Sequence, residues 1–103
     1  MTAAVPIAAV DTHPLRQRVL RPHQSLAEMD YAGDNDQASA HFGCFVDGIL
    51  VSVGSLYRES RAGIPLEGWR IRGMATIPDQ RDRGLGSGVL DACVAYARDH
   101  GAG

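Results

Sequence analysis

The stretch that most limits the fold of this chain is AHFGCFVDGILVSVGSLY, residues 40–57. Two apolar, β-rich runs meet at Asp47–Gly48, a dipeptide that readily adopts the left-handed conformations of a two-residue hairpin turn. Pairing across that turn sets Val46 against Ile49, Cys44 against Val51 and Phe42 against Val53. Strand side chains alternate, so these six residues are predicted to share one apolar face. A hairpin alone is not stable in water. Further strands or a helix must therefore cover that face.

The flanking sequence supplies them. Residues 3–10 (AAVPIAAV) read as a first strand, with Pro6 favouring an edge position. In THPLRQRVL, Thr12 is a predicted helix cap, and Leu15 and Val19 fall one turn apart. Pro22 ends that helix. Residues 21–40 are polar and irregular, with one helical turn predicted over Leu26 to Met29. Residues 59–67 form a loop. Residues 68–77 (GWRIRGMATI) alternate again, with Trp69, Ile71, Ala75 and Ile77 predicted on one side and Arg70, Arg72, Met74 and Thr76 on the other. Pro78 and Asp79 break the strand. A last helix runs from about Gly84 to His100, with Leu85, Val89, Cys93 and Tyr96 or Ala97 as its apolar stripe and Gly101 as its stop signal. This order predicts an α/β (α+β) domain over residues 1–103, a mostly antiparallel sheet with flanking helices.

Composition matters mainly for what it excludes. The formal net charge is −2, which argues against nucleic-acid binding by bulk charge. The ten basic residues are all arginine, so no lysine is present for a Schiff base or a phosphate-binding P-loop. Cys44 and Cys93 lie far apart in apolar stretches, as buried free thiols rather than zinc ligands. The N-terminal MTAAVPIAAVD lacks a basic leader, and no apolar run approaches a membrane span. A cytoplasmic protein with no membrane partner is the expectation.

Chemistry concentrates in IPDQRDRGLGSGVL, residues 77–90. A helix N-terminus offers unpaired N–H groups and a partial positive charge. Glycines there let an anion approach the backbone, and Arg81 and Arg83 extend the positive field. Each glycine costs roughly 1 kcal/mol of helix propensity relative to alanine, so Gly84, Gly86 and Gly88 call for a compensating role. A P-loop would need lysine. A Rossmann fingerprint would need GxGxxG and an acidic residue about 20 positions on, whereas the spacing here is GxGxG.

The segment from Met74 to Leu90 resembles motif A of the GNAT superfamily of acyl-CoA-dependent N-acetyltransferases. Thr76-Ile77-Pro78 stands at a V-x-P step, with Thr in place of the usual Val. Arg81, Gly84 and Gly86 fill a [QR]-x-x-G-x-G pattern, and Ser87, Gly88, Val89 and Leu90 lead into the helix. The hairpin around Asp47–Gly48 is similar to the family's second and third strands. The resemblance implies acetyl-CoA as cosubstrate and no metal. Backbone N–H groups from Asp82 through Arg83, Gly84, Leu85 and Gly86 to Ser87 would bind the pyrophosphate. The strand edge at Met74, Ala75 and Thr76 would meet the pantetheine amides and the acetyl carbonyl. A primary amine, on a small molecule or a peptide, would attack the thioester directly. The general base would be a carboxylate or a water chain, with Glu67 the nearest acidic candidate. His41 is read as either a relay or a partly buried strand-end residue. Asp30, Asp34 and Asp36 form an acidic loop, either solvated or drawing in a cationic amine.

The family fold continues with a fifth strand and often a tyrosine acid. These 103 residues stop before both, and Tyr96 lies in a different element. The resemblance therefore also admits a non-catalytic module that binds coenzyme A or another anion. A fourth strand with an open edge predicts a homodimer through that edge.

Overall fold

The computed structural model describes residues 4–31, 33–35, 38–58, 69–78 and 84–100. Its centre is a four-stranded antiparallel sheet in the order β1 (Val5–Pro6), β2 (Ala40–Val46), β3 (Ile49–Arg58), β4 (Trp69–Thr76). One face carries α2 (Leu85–Asp99). The other carries a continuous N-terminal helical segment of changing pitch. That segment is 3₁₀ over Ala9–Thr12, α over His13–Leu15 (α1) and π over Arg16–Leu20. A 3₁₀ turn at Leu26–Met29 follows, as predicted. Among the described residues no helix is long and apolar enough to cross a membrane.

The turn at Asp47–Gly48 forms as its sequence demands, with φ of 52° and 79° at its two residues, and Val46 pairs with Ile49. Beyond that pair the predicted register fails. A bulge between Cys44 and Phe45 sets Cys44 opposite Ser52 and Phe42 opposite Gly54. Val51 is the additional residue on β3, and an additional residue reverses the faces of everything beyond it. Phe42, Cys44 and Leu56 therefore pack with Val89, Cys93 and Ala97 of α2, while Val53 packs with Leu15 and Ala75 on the opposite face. The six predicted partners do not share one face.

A second bulge corrects the predicted faces of β4. Ser55 lies opposite Arg72 but Val53 opposite Ala75, so β4 carries one extra residue at Gly73–Met74. Gly73 has φ of +66°, where a side chain would be strained. Trp69 and Ile71 thus join Met74 in the α2 cluster, and Ala75 changes sides.

The first strand is much shorter than 3–10. Pro6 pairs with Phe42 at the sheet edge and has no N–H to extend the ladder; Ile7 adds one bond to the His41 carbonyl at 3.0 Å. Thr12 stands at the N-cap position of α1, as predicted, but its side chain makes no capping hydrogen bond. It is itself helical and fully buried, and its hydroxyl donates to the Ala9 carbonyl at 2.6 Å. The apolar stripe of α2 matches the sequence reading, with Leu85, Val89, Cys93 and Ala97 buried. Tyr96 is half-buried and packs edge-on against Phe42 and Trp69. The loop predicted over 59–67 and the stop at Gly101 lie outside the described residues.

Candidate acyl-donor and acceptor site

The start of α2 lies beside the end of β4. Gly84 occupies the N-cap with φ of +75°, a conformation that glycine adopts without strain. The Gly88 N–H bonds the Gly84 carbonyl at 3.0 Å. The N–H groups of Leu85, Gly86 and Ser87 precede that first bond, at the positive end of the helix dipole. Among the described residues, a Cβ at Gly84 would meet nothing within 4 Å, and one at Gly86 would meet only the Thr76 hydroxyl, at 3.5 Å. The described residues leave the backbone at this corner uncovered.

Two contacts fix the corner. The Ser52 and Thr76 hydroxyls are hydrogen-bonded at 2.7 Å across β3 and β4. The Cys44 thiol donates weakly to the Leu85 carbonyl at 3.7 Å. Burial pushes both thiols up, Cys93 to about 11, so both are protonated, apolar-behaving groups.

The outer edge of β4 has no second partner strand among the described residues. The Ile77 N–H reaches inward to the Val51 carbonyl at 2.9 Å. Peptide groups alternate direction along a strand, so Ala75 also faces β3, whereas the amides of Met74 and Thr76 face the open edge. Arg81, Asp82, Arg83 and Glu67 lie outside the described residues, as does Asp36.

Behind the Gly73 bulge, on the face away from α2, lies a polar cluster built on a buried ion pair. Arg16 is 0% exposed and Asp34 3%. The Arg16 guanidinium donates to both carboxylate oxygens of Asp34 at 2.6 and 3.0 Å. It donates further to the Met29 carbonyl at 2.8 Å, the Ser55 hydroxyl at 2.8 Å and the Tyr57 hydroxyl at 2.9 Å. The Tyr57 hydroxyl donates in turn to Asp34, which also accepts from the Tyr31 N–H at 2.8 Å. Burial favours the neutral form of Asp34, but the hydrogen bonds from Arg16, Tyr57 and Tyr31 outweigh it and hold the carboxyl below its ordinary range. Burial, then the bond to Asp34, pushes the Tyr57 phenol up to about 12.

This cluster revises the sequence reading of the acidic loop. Asp34 is a structural counter-ion, unavailable to a cationic amine, while Asp30 remains exposed. His41 is buried. Its Nε2 donates to the Asp34 carbonyl at 2.9 Å, which leaves Nδ1 to accept from the Ser55 hydroxyl at 2.7 Å. With both nitrogens engaged, it braces the loop rather than relaying protons. Ligand atoms of His13, Asp30 and Asp34 come within 4.8 Å of one another, but both Asp34 oxygens are committed and the Arg16 charge adjoins them.

The sequence reading did not include Arg16. A signal was present: Arg16 follows Leu15 and falls one turn after Thr12, so its side chain is set among residues that are buried.

The profile of the acetyltransferase (GNAT) family matches residues 8–103. The chain belongs to this family. It is 39% identical over 85 residues to an uncharacterized N-acetyltransferase, YitI, of Bacillus subtilis (strain 168), a match that covers 82% of this chain and 57% of the relative. The chain thus spans little more than half the length of that protein. Among solved structures, a predicted acetyltransferase of Clostridium acetobutylicum described with acetyl-CoA superposes with a TM-score of 0.72 at 15% identity, over 97% of this chain and 75% of its own. A ribosomal-protein-alanine N-acetyltransferase of Brucella melitensis biovar Abortus 2308 gives 0.67 at 19% identity, over 96% and 73%. At such identities these two structures share the fold.

Proposed function

We propose that this GNAT-family chain binds acetyl-CoA between the outer edge of β4 and the start of α2 and transfers its acetyl group to a primary amine. The observation that carries this reading is the corner itself: a left-handed Gly84, the leading N–H groups of a long helix, and the outward amides of Met74 and Thr76 beside them. The helix start suits a pyrophosphate, with Arg81 and Arg83 adding positive charge. An extended pantetheine would bond the strand edge. The Met74 amide, next to the bulge, is the donor assigned to the thioester oxygen, where negative charge develops.

The amine nitrogen attacks the thioester carbon. A C–N bond forms, the C–S bond breaks, and the amine proton passes through a base to water while the thiolate leaves. Glu67 or a water chain serves as that base. Asp30, the exposed acid of its loop, replaces Asp34 in the role of attracting a cationic amine. When no donor occupies it, the outer edge of β4 also suits pairing with a second copy, tested by whether the solution mass of the ligand-free protein rises with concentration.

Calorimetry with acetyl-CoA tests the donor site. Wild-type protein binds, and Gly86→Trp, which places an indole over the helix start, weakens binding at least tenfold. Absence of wild-type binding at millimolar acetyl-CoA overturns the reading.

A further inference from the structure

We propose that Arg72 selects acceptor amines that carry a carboxylate close to the reacting nitrogen, that is, amino-acid-like acceptors. The inference rests on the acetyl-transfer reading above and assigns its substrate class.

The Tyr31 ring meets two guanidiniums, Arg16 at 4.1 Å and Arg72 at 5.1 Å from its centroid. The two cations differ in what else they touch. Arg16 is fully buried and neutralised by Asp34. Arg72 is half-buried, and its guanidinium forms no ion pair or hydrogen bond with any described residue. Tyr31 is itself anchored, through its N–H to Asp34 and its ring to Arg16. A stacked guanidinium loses part of its mobility but keeps its fork of donors for a planar carboxylate. The ring, the two arginines and Asp34 together leave one uncompensated positive charge. Asp30, the exposed acid of the same loop, has its carboxylate near His13 and Asp34 and makes no ion pair with Arg72.

Position adds the rest of the argument. Arg72 immediately precedes Gly73, and the bulge separates it from the outward amide of Met74. At about 3.3 Å per residue, the two lie roughly 7 Å apart along β4, a gap that a short amino acid spans. Ile71 and Met74 pack toward α2, whereas Arg72 turns to the opposite face with Tyr31. A carboxylate held by Arg72 would therefore bring its amine to the thioester from the side that the donor's helix does not occupy.

The test separates acceptor recognition from donor binding and turnover. Wild-type protein is titrated with an N-acetyl amino acid and with the matching N-acetyl amino-acid amide, and the Arg72 Nε–H and Tyr31 ring signals are followed by NMR. The acid gives a saturable shift and the amide gives none at equal concentration. Arg72→Gln weakens binding of the acid roughly ten- to hundredfold, and Arg72→Lys restores part of it. In turnover, free amino acids are acetylated at least tenfold faster than their amides, and Arg72→Gln removes that preference by slowing the acids alone. Equal shifts for acid and amide, or no saturable shift for the acid, overturn the proposal even where acetyl-CoA binds and amines are acetylated. Loss of acetyl-CoA binding in wild type overturns instead the reading on which it rests. A thermal melt of Arg72→Gln matching wild type shows that the change acts on recognition rather than folding.

Discussion

The two faces of the sheet are held together by opposite means. Under α2, the interior is apolar: Leu56, Trp69, Val89 and Cys93 fill it, and Gly54 provides the clearance that Val89 needs, since a Cβ there would come within 2.6 Å of its Cγ1. Under the N-terminal segment, the centre is an arginine, a carboxylate and the hydroxyls that bond to them. An apolar layer tolerates small shifts, because dispersion and burial have little directionality. A buried ion pair does not, since each charge is costly once its partner moves. The polar face thus fixes the loop around Tyr31 in one place, on the side assigned here to the acceptor, while the apolar face carries the helix assigned to the donor.

Substitutions can break this contrast in order of expected size. Arg16→Met leaves Asp34 buried without its counter-ion and is expected to cost about 4 kcal/mol in chemical denaturation. Leu56→Ala empties part of the apolar layer and is expected to cost about 3 kcal/mol. If Leu56→Ala proves the more damaging, the buried pair is not the dominant constraint. The smallest and most selective effect is on pH dependence. The folded carboxyl of Asp34 titrates below its unfolded value, so its contribution is complete above the ordinary carboxylate range and disappears as pH falls toward the folded value. Denaturation midpoints of wild type should therefore fall with acid more steeply than those of Asp34→Asn, while Leu56→Ala keeps the wild-type slope. Equal slopes in wild type and Asp34→Asn would remove Asp34 as their source.

Much of the fold was legible because local chemistry and tertiary need agree in those segments. Asp47–Gly48 adopts the backbone its turn requires, and Leu85, Val89, Cys93 and Ala97 repeat at helical spacing and are buried. The glycine-lined start of α2 was legible for the same reason, since glycines at a helix start carry their physics locally. The failures share another cause. A bulge inserts one residue without changing composition, so the alternation in residues 42–53 and 69–77 pointed to faces that the chain does not use. Gly73 was the one visible mark, and its meaning depends on what lies across the strand.

The sequence by itself determined the hairpin, the final helix and the glycine-lined helix start, because each depends on interactions within a few residues. Only the tertiary structure decided which strand faces meet which helix, and that Arg16 and Asp34, 18 positions apart, form a buried pair. Register and ion pairing depend on partners distant along the chain, and the identity of a residue does not say which charge will lie beside it once water is excluded.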